Sequence, residues 1–150
     1  MGNMATRNIN FEDIQFAINE QNKQSNAYII INTLEAYQQH CLIAGTLTIE
    51  MEVDVLNAQL KKNKEVHILI YGMNATDKTC IKKYEQLLKL GFYNVYIYVG
   101  GIFEWLLLQD IYGVSEFPTN THFKTVDLLK YKPPTLLNTK YITYSWQADC

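Results

Sequence analysis

Three short runs of this sequence are apolar almost without a break: "AYIIIN" at 27–32, "EVHILIY" at 65–71 and "NVYIYVGG" at 94–101. A strand with one wet face alternates polar and apolar residues. Runs this continuous, rich in Ile, Val and Tyr, belong to strands covered on both faces. Each run is followed by a segment with helical patterning, and a further helical pattern precedes the first. That alternation constrains the chain to an α/β domain, with a mostly parallel central sheet and helices on both faces.

The helices are legible from their ends and stripes. Asn10 is placed as an N-cap, with Phe11, Ile14 and Ile18 on one face of the helix that follows. "LEAYQQH" (34–40) reads as a helical turn, and "CLIAGTLTI" (41–49) as an extended piece broken at Gly45. "EMEVDVLNAQLKKN" (50–63) supplies a helix with Val53, Leu56 and Leu60 inward and lysines near its C-terminus. The next helix, 77–90, puts Ile81, Tyr84, Leu87 and Leu88 on one face and stops at Gly91. "GIFEWLLLQDIYG" (101–113) is apolar nearly all round. A helix lying on one sheet face should show a polar stripe, so its second side needs a cover, either the rest of this chain or another chain. The expected organisation is one domain over 1–112, with a flexible lead before Asn10, and a C-terminal extension over 113–150 that packs back or contacts a partner. The extension holds all three prolines and sustains no period.

Composition narrows the function. With 48% hydrophobic and 19% charged residues in 150, the chain has the makeup of a globular domain. The net charge of −2 and scattered basic residues argue against nucleic-acid binding. No apolar run reaches the ~20 residues that span a bilayer, and no signal peptide is read at the start. "MGNMAT" fits the pattern that places a myristoyl acceptor at Gly2, although one acyl chain anchors only marginally. Cys41, Cys80 and Cys150 have no C-x-x-C spacing and read as reduced thiols. His40, His67 and His122 are dispersed, which argues against a metal site, and no cofactor is implied.

The stretch "HILIYGMNATDK" (67–78) poses the functional question. A buried strand, a tight loop and a helix start together gather backbone N–H groups and the positive end of a helix dipole. Yet between Gly72 and Ala75 there is no Cys, Ser, His, Lys or Arg.

Several segments, in this order, resemble the rhodanese-like domain family. "YIIINTLEAY" is similar to its L-I-D-V-R-x-x-x-E-Y segment, "LIAGTLTI" to H-I-P-G-A-x-N-I, and "ILIYG" to the strand before its active-site loop. "LLKLGFYNVYIYVGGIFEW" resembles L-x-x-x-G-F-x-N-V-x-x-L-x-G-G-x-x-x-W, and the resemblance spans residues 10–112. It implies a sulfurtransferase architecture in which a loop cysteine of a C-x-x-G-x-R motif carries sulfur as a persulfide. Here the resemblance puts Gly72 at the nucleophile, Asp77 at or beside the loop cation, and Asn32 and Leu34 where the first strand has Asp and Arg.

These departures imply a catalytically inactive member with the degenerate loop Gly72, Met73, Asn74, Ala75, Thr76, Asp77. Its expected role is a protein-interaction or structural module in the cytoplasm, with a protein partner or self-association. "FEWLLLQDIYGVSEFPT" resembles a variant lineage of protists and large DNA viruses, which adds a virus-encoded or virion-associated component as an expectation. Trp105, Leu108, Tyr112 and Phe117, with Tyr131, Tyr141, Tyr144 and Trp146 of the tail, are the candidate partner contacts. The alternative is a sulfurtransferase using a displaced thiol, Cys80 or Cys41. For Cys80, the helical face it shares with Tyr84 and Leu87 argues instead for a packed core residue. A phosphatase reading fails on the same missing loop residues.

Overall fold

The strands assemble as the apolar runs require. In the computed structural model, which describes residues 5–23, 26–121 and 127–137, four parallel strands form one sheet in the order β1-β4-β3-β2. They are β1 (Asn8–Ile9), β2 (Tyr28–Asn32), β3 (His67–Tyr71) and β4 (Val95–Tyr98). The helices are α1 (Phe11–Asn22), α2 (Ile49–Lys62), α3 (Thr79–Leu90) and α4 (Gly101–Tyr112), with short 3-10 turns at Ala36–Gln38 and Leu128–Tyr131. Asn10 caps α1 in a reciprocal box with Asp13, and Gly91 ends α3 in the left-handed region.

Register explains why the central strands show no alternation. Ile29, Ile68 and Val95 lie side by side, as do Ile31, Ile70 and Ile97, and these two rows pack against α2 and α3. Ile30, Leu69 and Tyr96 form the intervening row toward α1 and α4, with Tyr71 beside Tyr98 beyond it. Both faces are thus apolar because both are covered.

Four sequence expectations need correction. Asn8 and Ile9, placed in a flexible lead, form β1 and pair with Ile97 and Tyr98. The helix expected from residue 77 begins at Thr79. On α2, Val53 is 61% exposed and Glu52 takes the inward position beside Leu56. On α3, Ile81 is exposed, while Cys80 packs in the core with Tyr84 and Leu87 as their shared face implies. Glu52 tolerates burial because Lys83 of α3 reaches it at 2.5 Å. Replacing Lys83 by Met should cost about 2–3 kcal/mol, because it strands a buried carboxylate; the partial exposure of Lys83 keeps the value from being larger. Combining it with Glu52→Leu should recover most of that loss. Urea denaturation of both variants checks this, and equal destabilisation by the two would contradict it.

The far side of α4 is covered from within the chain. Phe117 and Tyr131 belong to the same hydrophobic core as Trp105, Ile102 and Leu106. Backbone bonds from Ala44 to Pro118 and from Asn120 to Leu42 stitch the segment after α4 to the 42–44 turn. No helix of the described residues is long and apolar enough to cross a membrane. Gly2, His122, Tyr141, Tyr144, Trp146 and Cys150 lie outside the described residues.

Candidate functional site

The carboxyl ends of parallel strands are where an open α/β sheet presents backbone groups to a ligand. Here β2 and β3 end at a cleft of about 1080 Å³, whose floor is the loop 73–79 and whose walls are the turn 33–40 and residues 127–134.

The loop is held by its own side chains. Asp77 turns inward: its Oδ2 accepts from the Met73 amide at 2.9 Å, and its Oδ1 accepts from the Thr79 amide at 3.0 Å. The Thr79 hydroxyl lies 2.6 Å from the same Oδ1 and 2.7 Å from the Thr33 hydroxyl. One carboxylate thus takes a loop N–H and the first N–H of α3, two donors that would otherwise favour an external anion. Asn74 supplies a second clamp. Its Oδ1 accepts from the Thr76 amide and hydroxyl, while its Nδ2 donates to the Tyr131 carbonyl at 2.7 Å. Ala75 and Thr76 complete the turn, which the Asp77 amide closes onto the Asn74 carbonyl.

The loop carbonyls serve the neighbouring helix. Ile102 and Phe103 amides at the start of α4 donate to the carbonyls of Gly72 and Met73, both at 2.9 Å. Gly101 makes this contact possible. A Cβ there would stand 2.7 Å from the Gly72 carbonyl oxygen and 2.9 Å from the Asn74 nitrogen.

The other positions singled out by the resemblance are structural. Asn32 is buried and exchanges hydrogen bonds with the Gln39 amide, accepts from the Leu34 amide and donates to the Leu47 carbonyl. Leu34 is buried in the core beside Cys41 and Leu42. Neither offers a charge to the loop. Gly72 has no room for a larger residue while Asp77 is in place, because an added Cβ would meet Asp77 Oδ2 at 2.4 Å and Thr33 Oγ1 at 2.8 Å.

Both candidate thiols are buried. Cys80 is buried with its Sγ 3.6 Å from Thr33 Oγ1, and burial pushes its pKa up to about 11 despite that contact. Cys41 is fully buried, and desolvation raises its pKa as well. His40 is exposed with Nδ1 near the Tyr37 carbonyl, and His67 is stacked between Tyr28 and Tyr96. Among the described residues no group of His, Cys, Asp or Glu could hold a metal ion.

The candidate partner contacts divide. Trp105 is fully buried, its ring against Tyr98 and Phe117 and its Nε1 donating to the Pro118 carbonyl at 3.0 Å. Phe117 is also core, packed between Phe11, Trp105 and Tyr112. Neither side chain is on the surface that a partner would meet. Leu108 is half-buried, and Tyr112 is exposed alongside Ile111 and Val114. Sequence reasoning placed an Asp77 or Thr76 cap at the positive end of the helix but missed the Asn74 clamp. The Asn-x-Thr spacing of 74–76 was the available signal, since an Asn amide readily bonds the backbone two residues on.

Comparison with known proteins gives a consistent picture. No sequence among curated proteins matches the chain significantly. Among solved structures, a Bacillus halodurans protein superposes with a TM-score of 0.60 at 16% identity, over 91% of this chain and 90% of its own. The rhodanese-like domain of an Anabaena protein, solved in solution, gives 0.51 at 19% identity over 89% of this chain and 95% of its own. The As–Sb reductase of Leishmania major gives 0.51 at 16% identity over 72% and 79%. These likenesses concern the fold. The family itself is fixed by the sequence match of residues 16–108 to the rhodanese-like domain, which covers more than half of the chain. The chain belongs to the rhodanese-like domain family.

Proposed function

We propose that this chain is a rhodanese-like module that transfers no sulfur and works by contact with protein. One observation carries the reading. The Asp77 carboxylate occupies the hollow of the loop, bonded to the Met73 and Thr79 amides, where a sulfur carrier needs a thiolate and an anionic donor. Asn32 and Leu34, where the resemblance has an acid and an arginine, are neutral and engaged in the fold, so neither position gives an anionic donor a charge to meet. The protein-contact side of the reading draws on Ile111, Tyr112 and Val114, large apolar side chains left exposed at the end of α4. Two buried free thiols, Cys41 and Cys80, suit the reducing cytoplasm.

The expected result of exposing the full chain to thiosulfate is no persulfide, by mass spectrometry of the intact protein. Measurable turnover onto an acceptor by the wild type would sink the reading. Thiol reactivity gives a second check. With its pKa near 11, Cys80 is protonated throughout the neutral range and gains thiolate only as the pH climbs toward that value. At pH 8 its alkylation should be about a hundredfold slower than that of a solvent-exposed thiol, from thiolate fraction alone. A Cys80 that alkylates at the free-thiol rate would revive the displaced-nucleophile reading.

A further inference from the structure

The cleft is larger than an inactive loop needs. At about 1080 Å³ it exceeds the roughly 300–1,000 Å³ of typical small-molecule sites, so it has room for several side chains of a peptide. Leu34 and Tyr131 are buried in its lining and Met73 is half-buried. Tyr37 on one wall is 77% exposed and Leu129 on the other 57%, apolar surface that an inserted side chain would cover.

The charges around the cleft are not used alike. Its lining holds Lys78, Lys130 and Lys132 together with Glu35, Asp77 and Asp127. Two of these acids are engaged by the backbone. Asp77 accepts from the Met73 and Thr79 amides, and Asp127 Oδ1 accepts from the Leu129 amide at 3.2 Å, capping the turn Leu128–Tyr131. N–H dipoles aimed at a carboxylate offset much of its field. The lysines are all exposed, and none of them forms an ion pair with another described residue. That leaves their ammonium groups set against Glu35 alone among the lining carboxylates. The chain as a whole carries −2, so this positive rim is local and steers acidic groups to one end of the sheet. Depth sorts the anions further. A small one entering the hollow of the loop meets Asp77, whereas an acidic chain laid across the mouth meets the lysines.

We propose that the cleft docks an acidic peptide segment of a partner protein. Its Asp and Glu side chains meet Lys78, Lys130 and Lys132, and an apolar or aromatic side chain between them lies against Tyr37, Met73 and Leu129. The assignment rests on the non-catalytic, protein-contact reading of this chain, and it gives that contact a place and a partner chemistry.

The test is fluorescence anisotropy on the full chain with fluorescein-labelled Asp-Glu-Asp-Phe-Leu-Glu-Asp-Glu and two companions. One companion has every acid replaced by lysine, the other has Phe and Leu replaced by serine. The acidic apolar probe should bind about tenfold more tightly than either, as rim pairs worth about two- to threefold each would multiply to give. Added salt should weaken it, and Lys78→Glu, Lys130→Glu and Lys132→Glu should each weaken it severalfold through slower association. Leu129→Ser should weaken the probe and leave the serine companion unchanged. Lys61→Glu at the end of α2 and Ile111→Asp at the end of α4, both outside the cleft, should change nothing. No binding of the probe overturns the proposal, as does equal binding of the lysine companion or binding that survives all three lysine reversals. Displacement by inorganic sulfate or oligothymidylate, beyond what sodium chloride of equal ionic strength produces, would make the cleft a general anion site and overturn it too. Sulfur transfer by the wild type would overturn the non-catalytic reading, whatever the peptides do. An unbound probe without sulfur transfer would overturn the docking alone.

Discussion

Gly101→Ala is expected to lower the unfolding free energy by about 2–5 kcal/mol, the sum of two separate costs. The first is conformational. Gly101 sits at φ +67, in the left-handed region, which disfavours an L side chain by roughly 1–2 kcal/mol. The second is steric. The added Cβ would stand 2.7–2.9 Å from the Gly72 oxygen, the Met73 carbonyl carbon and the Asn74 nitrogen, all backbone atoms with no rotamer to swing away. Either α4 or the loop must retreat, breaking the bonds from Ile102 and Phe103 to the loop carbonyls, and overpacking of this kind costs about 1–3 kcal/mol. Gly91→Ala is the control. It has φ +114, but its Cβ would meet only the flexible end of Lys64 at 3.4 Å, so it should lose only the conformational part. Urea denaturation of the two variants compares them. Equal losses would show that the close approach of α4 to the loop contributes nothing.

Restoring a thiol to the loop should require two changes. Gly72→Cys alone is expected to form little persulfide from thiosulfate. The new Cβ overlaps Asp77 Oδ2 at 2.4 Å, so the carboxylate must move, yet it remains close enough to raise the thiol pKa and repel an anionic donor. Gly72→Cys with Asp77→Arg removes the overlap, frees the Met73 and Thr79 amides, and adds a cation. Both the loop amides and the guanidinium then favour the thiolate, and persulfide formation should rise at least tenfold over the single variant, on the order of one pKa unit of thiolate stabilisation. Gly72→Cys with Asp77→Ala separates relief of the overlap from gain of charge. Mass spectrometry after thiosulfate treatment reads all three. Equal persulfide in the alanine and arginine doubles would remove the charge argument and leave the steric one. Equal persulfide in the single variant and both doubles would remove both.

The sheet was written in the chain because its strands are buried on both faces. Ile29 to Ile31 and Ile68 to Ile70 need apolar neighbours whichever way each side chain points, so the runs are continuous and cannot be misread. The N-cap at Asn10 and the stop at Gly91 were legible for a similar reason, being local backbone chemistry that needs no tertiary partner. The resemblance marks the glycine at 72 and the acid at 77 as departures from the family's loop. Helical faces were less determinate. Val53 and Glu52 are both neighbours of Leu56, at three and four residues, and Ile81 and Cys80 stand in the same relation to Tyr84. Hydrophobicity favoured Val53 over Glu52 and set Ile81 inward along with Cys80; the packing of α2 beside α3 on one sheet face kept Glu52 and Cys80, with Lys83 neutralising Glu52. β1 was invisible because two residues make no pattern, and only the open edge of β4 recruits them. Trp105, on a helix apolar all round, and Phe117 beyond its end read as candidate partner contacts, until the segment after Gly113 folded Phe117 and the Pro118 carbonyl onto the indole. The inward turn of Asp77 belongs to the same class. Sequence placed an acid beside a ring of loop amides, but only the close seating of α4 on the loop carbonyls and of Asn74 on Tyr131 fixes the loop tightly enough to aim that carboxylate at the Met73 and Thr79 N–H groups.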